Sequence, residues 1–231
     1  YVQLSTSNYL KYEEDPRVLL APYNSVRHVV VNTINPEKPI LANEKFRQAL
    51  YYGVDRENLA SLTKQDPAEY IVPTTHMMDL NKNITFRDTE EGKANRKENY
   101  GYDPEKAKEL LAEAGWDGSH ELVFSVPTGN SIREQAAVII QQNLQEIGIK
   151  TKIESADFAT HLTKVREGNY DLGLIGSGGS PDPSECVINF KPDHINNFSH
   201  LSDWTIYNTG AEGEHAFSFE DRKVNSVSYT H

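Results

Sequence analysis

Apolar and polar positions recur with a clear period over two stretches of this chain. Val26 to Asn32 (VRHVVVN) is β-branched and nearly continuous, the pattern of a buried strand. Asn35-Pro36 and Lys38-Pro39 then break it as a turn. Asn43 caps a predicted helix through Phe46, Ala49, Leu50 and Val54, and Asp55 caps a second through Leu59 and Leu62. From Asp79 to Gly101 no period is usable and charge is dense, so this part reads as an irregular surface excursion.

The second stretch begins at Asp103-Pro104, an N-cap followed by proline at the first helical position. Ala107, Leu110, Leu111 and Ala114 fall on one helical face, and Gly115 stops that helix. His120 to Val126 (HELVFSV) alternates as a strand, and Pro127 to Asn130 reads as a turn. Ser131 and Glu134 have capping-box spacing and open a predicted helix to Ile147, ended by Gly148. Ile149 to Ser155 alternates again. Asp157 caps a helix through Phe158, Leu162 and Val165 to Gly168, and Tyr170 to Ile175 is the next strand. The order β-α-β-α-β predicts an α/β layer fold, a mainly parallel mixed sheet flanked by helices. At the two ends the pattern is weak: Val2 and Leu4 suggest one short strand, and Phe217, Phe219, Val224 and Val227 suggest others.

Composition narrows the function. The chain has 231 residues, enough for one large domain or two small ones, and a formal charge of −11. Such a surface repels phosphate backbones, so nucleic acid is not the expected partner. The basic residues from Lys93 to Lys97 are interleaved with Glu90, Glu91 and Glu98 and read as a solvated loop. A single cysteine, Cys186, excludes an internal disulfide framework and any multi-cysteine metal site. No window reaches the roughly 18 consecutive apolar residues of a spanning helix.

Catalytic patterns are poor. Ser177-Gly178-Gly179-Ser180 lacks the Lys-Ser/Thr of a phosphate loop. His194 and His200, near Asp193 and Asp203, lack a spacing that would put two metal ligands on one face, and read as solvated side chains. A binding site is the better reading. In open α/β sheets, ligands sit beyond the carboxyl ends of the parallel strands. Two predicted loops leave such ends, Pro127–Ser131 and Gly176–Pro183. The first enters a helix whose N-terminal amides, with Arg133 in the first turn, suit an anionic group. The second carries Asp182. The same residues also suit ordinary connecting loops, with Arg133 a solvated helix residue.

Several segments resemble one family. Asn43-Glu44-Lys45-Phe46-Arg47-Gln48-Ala49-Leu50, continued by Gly53-Val54-Asp55-Arg56, is similar to the "vRqALsyAiDR" signature of the substrate-binding proteins of oligopeptide and dipeptide ABC transporters. Tyr102 to Leu111, with Ala114-Gly115-Trp116, resembles that family's "yDpekAkeLLaeAGw". Ala136 to Ile149 resembles its "iGi" helix. Gly168-Asn169-Tyr170-Asp171 and Pro181-Asp182-Pro183 resemble its "g~yDl…DP".

The resemblance implies a type II periplasmic-binding-protein fold in which two lobes enclose a ligand. It implies that residues 1–231 are a single C-terminal lobe, with a core over 26–183 and an unassigned tail over 184–231, the N-terminal lobe being absent. It implies an extracytoplasmic protein, periplasmic or lipid-anchored at the surface of a Gram-positive cell. Such a protein delivers oligopeptides to a membrane permease, without catalysis, cofactor or metal. Ligand contacts would come from Thr128, Gly129, Asn130, Ile132 and Arg133 in one loop, and from Ser177, Gly178, Gly179 and Asp182 in the other. Arg47, Ala49, Leu50, Asp55 and Asp103 would be structural. The sequence departs from peptide binders where their amine-binding carboxylate stands, here Gly179, and at the tryptophan before it, here Gly176. Either Asp182 replaces that carboxylate, or the ligand lacks a free amine, as a nickel chelate, an oligosaccharide or a blocked peptide does. A sensory or protein-interaction lobe is the further alternative.

Overall fold

The strands and helices form where local chemistry starts and stops them. The computed structural model describes residues 11–12, 14–18, 25–62, 89–91, 94, 101–178 and 195–200. In chain order these hold β1 (Ser25–Val31), a 3-10 turn (Pro39–Ala42), α1 (Glu44–Tyr52), α2 (Arg56–Ser61), α3 (Pro104–Glu113), β2 (Glu121–Pro127), α4 (Ser131–Glu146), β3 (Lys150–Ala156), α5 (Phe158–Arg166) and β4 (Leu172–Gly178). The predicted strands at the two chain ends, and most of the charged excursion over 79–101, lie outside the described residues.

Side-chain caps open the helices as read. Asn43 accepts from the Lys45 and Phe46 amides, Asp55 from Asn58, Asp103 from Lys106, and Asp157 from Ala159 and Thr160. Each cap satisfies donors that the first helical turn leaves unpaired. One cap differs from the expectation. α4 is capped by Asn130, which accepts from the Arg133 amide at 3.1 Å, and not by Ser131. Glu134 accepts from the Gly129 amide at 2.9 Å, so it still reaches back over the helix start, but to the residue before the cap and not to Ser131.

The sheet order is β1-β4-β2-β3. β2 runs parallel to both β3 and β4, while β1 is antiparallel to β4. Alternation along the strands builds two faces. Leu122, Phe124, Val126, Leu172 and Leu174 point into the larger core, filled from outside by α1, α3 and α4 through Phe46, Ala49, Ala107, Leu111, Ala137, Ile140 and Leu144. Val30 and Ile175 point the other way and meet Val165 and Leu162 of α5.

β1 corrects the buried-strand expectation. Among the described residues it lies at the edge of the sheet, where Arg27 is exposed and His28, Val29 and Val31 are half-buried, leaving Val30 buried. β4 starts later than the predicted Tyr170 and runs past Ile175 to Gly178. Its extra length is held by β1, where Ser25 and Val26 are the register partners of Gly178 and Ser177. Tyr170 and Asp171 precede the strand and act as anchors. Tyr170 is buried and its hydroxyl donates to the Phe198 carbonyl. Asp171 is 2 % exposed and binds Lys38, Asn35 and the Val123 amide.

The family-like motifs are largely structural. Ala49 is fully buried, and Arg47 donates to the Ala42 carbonyl ahead of α1. Lys45 pairs with Glu113, tying α1 to α3. Trp116 stacks near Phe46, with centroids 5.2 Å apart, and its indole N–H donates to the Gly148 carbonyl at 3.1 Å.

Candidate functional site

Because β2, β3 and β4 are parallel, their carboxyl ends share one edge. The two helices that border it leave toward opposite faces: α4 packs with the larger core, and α5 with the smaller. This is the arrangement in which α/β sheets open a crevice for ligands.

The loop after β2 is fixed from several sides. The Thr128 amide donates to the Ala156 carbonyl at 2.8 Å and its hydroxyl to the same oxygen at 3.1 Å. The loop is thereby tied to the end of β3. Gly129 has φ 86°, a left-handed conformation that a side chain would strain. Thr128 and Gly129 are exposed, while Asn130, Ile132 and Arg133 are half-buried. The cap is a local stability element. Asn130→Ala is expected to cost about 1 kcal/mol and Asn130→Gly only a few tenths, as read by chemical denaturation.

The other predicted loop is different. Gly176, Ser177 and Gly178 belong to β4, so Ser177 and Gly178 are strand residues and not loop residues. Small residues there resemble a turn in sequence, but antiparallel pairing with β1 holds the backbone extended. Gly179 and Asp182 lie outside the described residues.

Two features of the edge escaped the sequence reading. Phe158, expected on the apolar face of its helix, is 54 % exposed at the first position of α5, two residues beyond the carbonyl that Thr128 binds. Below the edge, Ser125 and His161 meet at 2.8 Å, both essentially inaccessible. His161 Nε2 lies 3.1 Å from the Leu174 carbonyl. A carbonyl only accepts, so Nε2 carries the proton, Nδ1 accepts, and the Ser125 hydroxyl donates to it. Burial, with the Arg133 and Lys164 charges, holds the His161 imidazole below the usual histidine range and hence uncharged at neutral pH. The pair resembles a nucleophile and its base, but burial closes Ser125 to any substrate and a carbonyl occupies the second ring nitrogen. Ser125 follows Val123 on one face of HELVFSV, and His161 stands within the helical stretch Phe158-Leu162-Val165. Two polar residues on facing elements are the signal of such a pair.

His200, expected in solvent, is half-buried and donates from Nε2 to the Val165 carbonyl at 3.0 Å. Among the described residues no group of three or more His, Cys, Asp or Glu is arranged to hold a metal ion, and no helix is long and apolar enough to cross a membrane.

Comparison with known proteins adds the following. A family model described as bacterial extracellular solute-binding proteins, family 5 Middle, matches residues 1–197. Heme-binding protein A of Haemophilus influenzae is 30 % identical over 185 residues, covering 77 % of this chain and 31 % of that protein. Oligopeptide-binding protein AppA of Bacillus subtilis is 28 % identical over 160 residues, covering 63 % of this chain and 27 % of that protein. The crystal structure of the ABC transporter substrate-binding protein CtaP of Listeria monocytogenes superposes with a TM-score of 0.69 at 22 % identity, over 98 % of this chain and 45 % of that one, which establishes a shared fold. The chain therefore spans under a third of the length of these curated relatives and under half of that structure.

Proposed function

The chain belongs to the bacterial extracellular solute-binding proteins, family 5, and from that membership we propose that it is one lobe of the capture component of an ABC importer, working outside the cytoplasm. The ligand is an oligopeptide, held at the carboxyl edge of β2, β3 and β4 and passed to a membrane permease after an opposing lobe closes over it. The observation that carries this reading is the edge itself. It combines exposed backbone at Thr128 and Gly129, a cation at Arg133 and an exposed aromatic at Phe158. Extended peptides are bound through such backbone contacts and side-chain pockets. Ser177, Gly178, Gly179 and Asp182 are the further ligand contacts in this reading, with Asp182 as the carboxylate for the ligand's amine.

Titration calorimetry of the full-length protein with tri-alanine, its C-terminal amide, reduced glutathione and hemin tests the reading. Tri-alanine is expected to bind. Arg133→Ala is expected to weaken tri-alanine about tenfold and leave the amide unchanged, because a charge-assisted bond to the carboxylate is lost. An Arg133→Ala variant that binds tri-alanine as tightly as the wild type removes Arg133 from the site. Binding of hemin alone replaces the peptide by the ligand that names the Haemophilus influenzae relative. His161 could not serve as its axial ligand, since both ring nitrogens are engaged.

A further inference from the structure

β2 and β4 are joined over a short length. Their register links Phe124 with Leu172 and Ser125 with Gly173, whereas β2 and β3 are paired from Glu121 to Pro127. Just past the last β2–β4 partners, the Leu174 carbonyl is bound by the imidazole of His161. The other ring nitrogen binds Ser125 on β2. A side chain from α5 thus spans the two strands where their backbone pairing stops, directly beneath the candidate binding edge.

We propose that His161 is a positioning residue for that edge: uncharged, it braces β2 against β4 and α5, and when it gains a proton the brace loosens and ligand capture weakens. The ligand part of this proposal rests on the function proposed above; the brace does not.

The surroundings set the direction of the effect. On α5, Lys164 is bonded to Glu154 at 3.1 Å, and Asp157 is engaged by the Ala159 and Thr160 amides. On β3, Glu154 is the register partner of Ser125 and is held by both Lys152 and Lys164. On α4, the Arg133 charge opposes a proton on the ring. On β1, His28 lies on the same face as Val30 and opposite Ile175 of β4. β2 and β4 bring Glu121, Val123, Ser125, Pro127, Gly173 and Ile175 to this face; of these Glu121 is ionisable, and it is exposed at the amino end of β2, four residues before Ser125. The nearby carboxylates are already paired, so a proton on His161 meets burial and two cations. In the open state the ring returns to an ordinary histidine near pKa 6.5. Opening is therefore unaffected well above that value and grows as pH falls below it, by about thirtyfold at pH 5 for a ring that stays neutral when closed.

Hydrogen-exchange protection factors, corrected for intrinsic exchange, test the brace between pH 7.5 and 5. In the wild type, protection at Val126, Thr128, Leu174, Ile175 and Gly176 is expected to fall about thirtyfold relative to Leu122 and Leu172. His161→Gln keeps a donor for Leu174 and an acceptor for Ser125 without a titrating group, and its profile is expected to be flat. Ser125→Ala removes one half of the brace and is expected to lower protection at the same amides at every pH. A wild-type profile matching that of His161→Gln, or a loss spread uniformly over the sheet, overturns the proposal. If His161→Gln does not fold, a His161 ring that shows no titration-linked change in Ser125→Ala or wild-type protection overturns it equally.

Calorimetry with tri-alanine supplies the ligand arm. Wild-type affinity is expected to fall at least tenfold from pH 7.5 to 5, and His161→Gln affinity to change less than twofold. Parallel pH dependence in the two proteins overturns the coupling to capture. If neither protein binds tri-alanine at any pH, the peptide reading fails, and the exchange data still decide the brace.

Discussion

Replacing Asp171 by alanine is expected to lower the stability of the protein by about 4 kcal/mol, the range in which one partner is lost from a buried ion pair. Its carboxylate is 3 % exposed and pairs with Lys38, whose side chain is 17 % exposed. It also accepts from Asn35 Nδ2 at 2.8 Å and from the Val123 amide at 2.7 Å. One side chain thus clamps the loop between β1 and α1 onto β2. Removing it leaves an ammonium, an amide side chain and a backbone N–H short of an acceptor in a site nearly closed to water. Lys38→Met is expected to cost less, because the carboxylate keeps its two neutral donors. Asp171→Asn should fall between, retaining acceptor capacity without charge. Urea denaturation of the three variants checks the ordering. Losses below 1 kcal/mol for Asp171→Ala would show that the loop re-forms its bonds with water.

That clamp also marks the limit of what the chain shows when read as a line. Asn43, Asp55, Asp103 and Asp157 were legible as caps because a cap acts within three residues. Tyr170-Asp171 was legible as part of a motif. The role of Asp171 was not, because its side-chain partners Asn35 and Lys38 stand more than 130 residues earlier, and the Val123 amide stands 48 residues earlier. The same reason explains β1 and β4. Their antiparallel pairing joins distant segments, and neither register nor edge position is written in local period. Ser177-Gly178 therefore read as a turn, although backbone bonding to Ser25 and Val26 keeps it extended. At the candidate site, the Pro127–Ser131 connection was legible from strand alternation followed by a helix start. The His161–Ser125 contact was not, since each residue alone is one polar position beside apolar ones.

The division of labour between the two ends of the sheet follows from these contacts. At the amino ends of β2 and β3, Trp116 is fixed by Phe46 and the Gly148 carbonyl. Near the amino end of β4, Asp171 holds Lys38 and Asn35. Near the carboxyl ends, β2 and β4 are bridged by a side chain in place of further backbone pairing. Trp116 consequently stands at the opposite edge from Thr128 and Phe158, and its fluorescence reports folding and not ligand at the carboxyl edge.

Gly173→Val is expected to destabilise the protein by about 3 kcal/mol, the upper part of the usual range for overpacking a filled core. A Cβ at Gly173 would lie 3.1 Å from Val30 Cγ2, 3.2 Å from Val165 Cγ2 and 3.3 Å from Tyr170 Cδ2. These walls come from β1, α5 and the lead-in to β4, and all three side chains are buried. None can turn away without displacing its own element. Val30 is in the edge strand, Val165 is fully buried, and Tyr170 is tethered by its hydroxyl to the Phe198 carbonyl. The least constrained response is for α5 to lift from the sheet. That motion draws His161 away from the Leu174 carbonyl, so the substitution should act twice, on packing and on the brace. Gly173→Ala, adding one methyl at contacts that need to yield only a few tenths of an ångström, should cost about 1 kcal/mol. Exchange protection of Leu174 and Ile175 in the two variants separates the effects. In Gly173→Val it should fall beyond the global loss of stability, and in Gly173→Ala it should follow that loss. Equal stability of Gly173→Val and wild type would mean that α5 is not seated on Gly173.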